Sequence, residues 1–254
     1  ISRYGAQLVG KGVCRRRNVE MDVFTEKRIK MSNLEECIIK AHEDGLADHI
    51  AVRVGKGEQI LNDCFYSADY EINSKTLFDM ASVTKIMVTT MLTLIAADRK
   101  LLNFDDKVSR FFPCPNDKSE LTIKHLLTHT MGYGHRSLCE KGNTYDNIQN
   151  YILSLPCDFP VGTKVDYSCP GFILLGKILE KVFGDRLDRL FISLIAAPLG
   201  MESSGYCLNC KDAVNSNLSE AERGLVNDYN CRFLGGVAGN AGLFSNIDDI
   251  TKYM

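Results

Sequence analysis

The chain has almost no net charge. Among its 254 residues, 30 Lys and Arg stand against 32 Asp and Glu, which leaves −2, with a sequence pI near 6.2. That balance excludes the clustered basic charge of a nucleic-acid or membrane-surface footprint. One short basic run, Arg15-Arg16-Arg17, reads as a solvated surface feature. No run of 18 or more apolar residues is present, so no transmembrane helix is expected. No signal-peptide core opens the sequence either, although the chain begins with Ile1 rather than Met. Internal repeats and low-complexity tracts are missing. Ten cysteines occur, spread along the chain rather than packed into a small frame. A chain of this size does not need disulfide staples, so they read as reduced thiols, and the protein as cytoplasmic rather than exported. Cys207-Leu208-Asn209-Cys210 has metal-ligand spacing, but no second pair completes a zinc set, and His125 and His135 have no partner in sequence. No metal and no cofactor is therefore implied.

What is present is ordinary globular composition, 45% hydrophobic and 24% charged, long enough to bury a sizeable core. Residues 1–30 sustain no period and read as an N-terminal arm. Residues 32–46 read as a helix, with Ser32 and Glu35 as a capping box and Leu34, Cys37, Ile38 and Ala41 on one face. Ile50–Val54 and Gln59–Tyr66, separated by Gly55-Lys56-Gly57, predict an antiparallel hairpin. Helical patterns follow over 82–97, briefly after Asp105-Asp106, over 122–127, 170–183 and 186–197, and again from Asp248-Asp249. A two-strand hairpin is marginal alone and leaves an edge to cover. The strands expected to complete it are not visible after the helical block, so the chain reads as truncated.

Two local patterns carry chemistry. In Ser82-Val83-Thr84-Lys85 the hydroxyl and the amine sit three residues apart, on one face of a helix. A serine hydroxyl is a poor nucleophile until a neighbour takes its proton. A lysine takes a proton only when neutral, a state that apolar surroundings favour, and Phe78, Met80, Ala81, Ile86, Met87 and Val88 surround this pair in sequence. In Asp166-Tyr167-Ser168-Cys169, Tyr167 stands where a loop enters an apolar helix and could aim its hydroxyl into a cleft. Taken singly, a surface Ser/Lys pair and a half-buried packing tyrosine are the simpler readings. His129 reads as structural, hydrogen-bonded at a helix end.

Taken together and in order, these segments resemble a known family. Leu77-Phe78-Asp79-Met80-Ala81-Ser82-Val83-Thr84-Lys85 resembles the first motif of class C β-lactamases and their esterase and DD-peptidase relatives. Leu121–Gly132, Tyr167-Ser168-Cys169 with Gly171–Ile178, Pro198–Met201 and Gly235–Ser245 are similar to later segments of the same family. The resemblance spans about residues 45–254. It implies acylation of Ser82, Lys85 and Tyr167 acting together as general base, and the Ser82 backbone N–H as half of an oxyanion hole. It also implies an α+β fold: an antiparallel sheet flanked by helices (31–97 and 201–254), with a mostly helical second domain (98–200).

The sequence departs from the family in three places. Cys169 stands at a substrate-binding position where many relatives carry Asn, and a thiol is a weak hydrogen-bond partner. Asn240 stands where relatives carry His. The third motif, a Lys-Thr-Gly or His-x-Gly strand, does not follow Tyr167. The expectation is a serine hydrolase acting on a β-lactam or a short ester or amide. The alternatives are a cell-wall DD-peptidase and a weakly active binding protein of the same fold.

Overall fold

A computed structural model describes residues 13–15, 32–140, 142–207, 210, 212–214 and 223–254. Most of the expected arm, the Ser32 side chain and the Leu208-Asn209 pair lie outside the described residues. The α+β expectation holds, as small antiparallel sheets accompanied by helices. The chain divides into two compact units, Ile1–Thr76 with Asn246–Asp248, and Leu77–Ser245 with Asp249–Met254.

The first unit carries β1 (Val13–Arg15), α1 (Ser32–Glu43), β2 (His49–Lys56) and β3 (Gln59–Ser67). The hairpin is present, turning at Gly57, whose φ of 56° suits a residue without a Cβ. The edge that the sequence left bare is covered: β1 pairs antiparallel with β3, giving the order β1-β3-β2. That strand lies within the stretch read as an arm, where three residues are too few for a visible alternation. Arg53 and Asp63 face each other across β2 and β3. The guanidinium donates to both carboxylate oxygens at 2.7 and 2.8 Å and also reaches Asp248 at 2.9 Å. On α1 Ile38 is buried, whereas Cys37, expected on the same face, is exposed.

The second unit contains the main apolar core. After β4 (Phe78–Asp79) the chain enters one helical run in three geometries: a 3₁₀ turn (Ala81–Val83), a π-helical stretch (Lys85–Thr90) and α2 (Met91–Asp98). The expected single α-helix over 82–97 is thus widened in its first half, a feature common at functional sites. Ala81–Asp98 passes for a membrane-crossing helix by length and composition, although Ser82, Thr84 and Lys85 interrupt its apolar run. Yet Met87, Val88, Leu92 and Ala96 on this run are buried in the protein's own core. Of the short helix expected after Asp105-Asp106, only a 3₁₀ turn, Val108–Arg110, forms.

Further along, α3 (Ile123–Leu127) starts at Thr122. The Thr122 hydroxyl accepts the His125 N–H at 3.4 Å, and His125 Nδ1 accepts the Thr122 N–H at 3.2 Å. A histidine here completes the reciprocal cap usually closed by Glu or Gln. Next come α4 (Ile148–Ser154) and the fifteen-residue α5 (Cys169–Phe183). The latter is capped by Ser168, carries Pro170 in its first turn, and ends at Gly184 with φ 73°. Ten of its residues are buried, so it is apolar nearly all round and runs through the core. The segment expected as one helix over 186–197 is α6 (Leu187–Phe191), a π-helical stretch (Ile192–Ala196) and α7 (Ala197–Leu199). A second small sheet has the order β4-β6-β5, with β5 (Gly205–Tyr206) and β6 (Leu243–Ser245). Two short helices, α8 (Tyr229–Phe233) and α9 (Ile247–Tyr253), complete the described elements.

The glycine-rich stretch before β6 lies flat against α5. A Cβ on Gly239 would fall 2.1 Å from the Phe172 carbonyl oxygen and 3.1 Å from Gly176 Cα. Backbone atoms cannot swing aside as a side chain can. Gly239→Ala is therefore expected to lower unfolding free energy by about 1–3 kcal/mol through overpacking, measured as a drop in the urea midpoint. An unchanged midpoint would show that the two segments part without cost.

Candidate active site

The residues that the sequence singles out for chemistry all fall in the second unit. Ser82 sits in the 3₁₀ turn that opens the helical run and is exposed, while Lys85, one turn on, is buried at 3%. The Lys85 Nζ donates to Ser82 Oγ at 3.0 Å and to the backbone oxygen of Asn240 at 3.0 Å. The amine also lies 4.9 Å from the Tyr167 ring centre and 5.8 Å from that of Phe172. Tyr167 is about half exposed, and Cys169, two residues later at the start of α5, is buried. The structure thus brings Ser82, Lys85 and Tyr167 together around one amine, with Cys169 beneath them.

Several supports hold this arrangement. Ala81, directly before Ser82, has φ 42°, a left-handed conformation that a residue with a Cβ adopts only under constraint. The constraint is Asp79: one carboxylate oxygen accepts the Ala81 N–H at 2.8 Å, the other the Asn227 N–H at 2.7 Å. Burial pushes the Asp79 carboxyl above the usual carboxylate range, and these two hydrogen bonds oppose the rise. The helical run is stitched to the glycine-rich segment at three further points. The Leu243 N–H donates to Thr84 Oγ1 at 3.2 Å, Thr89 Oγ1 donates to the Gly239 oxygen at 2.6 Å, and Met80 N–H donates to the Leu243 oxygen at 2.9 Å.

Sequence reasoning marked Asn240 as a departure but did not find its part in the site. Its backbone oxygen receives the lysine, a role that no side-chain pattern can reveal. Its side-chain amide is fully buried, and neither amide atom makes a hydrogen bond of ordinary geometry among the described residues, the Cys169 thiol beside it being a weak partner. Burial pushes the neighbouring Cys169 thiol above its usual value, while the Lys85 amine and the Asn240 amide pull it the other way. The histidine read as structural also belongs here, because His129 packs its ring 4.5 Å from that of Tyr167. His125 stays in its cap. The Cys207 and Cys210 thiols are free, and no group of three or more His, Cys, Asp or Glu that could hold a metal occurs among the described residues.

An exposed serine whose oxygen lies 3.0 Å from a buried lysine amine, with a tyrosine ring beside that amine, has the Ser-x-x-Lys arrangement of β-lactamases and penicillin-binding proteins. Residues 39–254 match the beta-lactamase family, and the chain belongs to it. It is 27% identical to an N-acetylmuramyl-L-alanine amidase of Bacillus subtilis (strain 168), over 92% of this chain and 63% of the amidase. It is 33% identical to esterase EstB of Burkholderia gladioli, over 65% of this chain and 48% of the esterase. In fold it matches the octameric penicillin-binding protein homologue from Pyrococcus abyssi, with a TM-score of 0.74 and 21% identity over 89% of this chain and 55% of that one. The chain thus spans from about half to somewhat under two thirds of the length of these relatives.

Burial lowers both His125 and His129 below the ordinary histidine value, and for His129 the Lys85 charge adds to the effect. Between each lowered value and about 6.5 the folded ring binds fewer protons than the unfolded one. Stability therefore rises with pH through that window and falls as pH drops through it. His129→Asn is expected to remove part of this slope in urea unfolding measured between about pH 5 and 8. An unchanged slope would show that His129 does not contribute.

Proposed function

We propose that the protein is a serine acyl hydrolase that works through an acyl-enzyme on Ser82, with a short ester of a small-molecule acid as the favoured substrate class. One observation carries the reading. Lys85, buried and without a carboxylate partner in its described contacts, places its nitrogen 3.0 Å from the oxygen of an exposed serine. In the first step Ser82 Oγ bonds to the substrate's carbonyl carbon, and its proton passes to Lys85 Nζ or to the Tyr167 oxygen. The tetrahedral oxygen faces the Ser82 N–H at the opening of the helical run. Collapse expels the alcohol, which takes a proton back from the Lys85/Tyr167 pair. Water then repeats the sequence on the ester and frees Ser82.

Ester over β-lactam preference is supported by Cys169. A thiol at this position binds an amide poorly compared with a carboxamide, and an ester asks for no such contact. The esterase among the relatives points the same way.

Intact-protein mass spectrometry after exposure to a fluorophosphonate and, separately, a fluorescent penicillin tests the reading. A fluorophosphonate adduct that disappears in Ser82→Ala is expected, with Tyr167→Phe slowing its formation about 100- to 10,000-fold. An adduct that persists in Ser82→Ala would overturn the assignment. Cys169→Asn is expected to raise the ratio of penicillin to fluorophosphonate labelling; an unchanged ratio would remove Cys169 from substrate selection.

A further inference from the structure

We propose that His129 is a positioning residue for Tyr167, a role that rests on the acyl-enzyme reading and adds a component to it. Three non-glycine residues among the described ones have positive φ: Ala81, Lys100 and His129. Two of the three adjoin the site, Ala81 before the serine and His129 against the tyrosine. His129, at φ 57°, follows the C-cap of α3. This left-handed turn lets one residue grip three consecutive residues of another segment. Its backbone oxygen accepts the Asp166 N–H at 2.8 Å. Its Nδ1 accepts the Ser168 N–H at 3.0 Å. Its ring packs against the residue between them, 4.5 Å from the Tyr167 ring at 37°, and also lies 5.0 Å from Phe172.

The chemistry of the grip fixes the state of the ring. Nδ1 accepts a hydrogen bond, so the imidazole is neutral and carries its proton on Nε2. Burial favours the same neutral ring, and any positive charge on the Lys85 amine under the tyrosine ring adds to that preference. A helix end alone needs none of this: an ordinary cap would not require the imidazole to reach Ser168. The arrangement holds the Tyr167 backbone on both sides and its ring on one face, which sets where the phenol oxygen can stand relative to Lys85 and Ser82.

Three substitutions separate the components. His129→Asn tolerates positive φ and places Oδ1 near the site of Nδ1. His129→Phe keeps a ring but no acceptor, and His129→Gly keeps only the backbone freedom. Single-turnover acylation by the fluorophosphonate on the full chain would give the limiting rate and the half-saturating concentration separately, with circular dichroism to select folded variants. His129→Gly and His129→Phe are expected to lower the limiting rate about 10- to 100-fold, as a misplaced catalytic group does, with half-saturation within about twofold. His129→Asn is expected to recover most of the loss. In a Tyr167→Phe background, His129→Gly should cost little more, because the group it positions is gone. A full limiting rate in folded His129→Gly, or a loss undiminished in the Tyr167→Phe background, would overturn the proposal. Failure of the unmodified protein to form any Ser82 adduct would overturn the acyl-enzyme reading itself, and the role of His129 with it.

Discussion

The site turns on one buried nitrogen. Taking a lysine amine out of water is costly unless its donors find fixed acceptors. Lys85 has two, the Ser82 hydroxyl and the Asn240 carbonyl, each at 3.0 Å. One acceptor is the candidate nucleophile and the other belongs to a segment more than 150 residues away in sequence. The same contact that satisfies the amine therefore ties the start of the helical run to the glycine-rich segment. Much of the surrounding architecture serves that tie. Thr84 and Thr89 hydrogen-bond to the same segment, and Gly239 lets it lie directly on α5. The π-helical stretch begins at Lys85 itself.

Strain and burial are concentrated where function would need them. Ala81 and His129 hold unfavourable backbone angles, the first restrained by the Asp79 carboxylate two residues before it and the second by hydrogen bonds with Asp166 and Ser168. Such conformations persist only where the surroundings over-determine them. The fully buried Asn240 amide and the buried Cys169 thiol lie together beside the Lys85 amine.

Much of this was legible in the sequence, for definite reasons. The Ser82/Lys85 pair announces itself because three residues is close to one helical turn, and the helix starting at Thr122 is marked by cap chemistry that acts locally. The hairpin was visible because β2 and β3 are long enough to show a strand pattern. By contrast β1, β4, β5 and β6 are two or three residues long and carry no readable period. The π-helical widening leaves no mark, since Ile86–Thr90 suit either helix. His125 closes a cap that pattern reasoning reserves for Glu or Gln. Asn240 was marked as a departure, but it receives Lys85 through its backbone oxygen, which every residue possesses, so only the fold could show that role. The Tyr167 contacts of His129 join segments nearly forty residues apart, and neither segment alone implies the other.

The central claim is that the Lys85 amine activates Ser82. Its most direct test is the rate of fluorophosphonate acylation in Lys85→Met, which keeps an unbranched apolar stem and removes the nitrogen, followed by peptide mapping of the adduct. The expected result is a loss of about 100- to 10,000-fold in rate, with the residual adduct still on Ser82. Acylation of Ser82 at the full rate without the amine would contradict the claim.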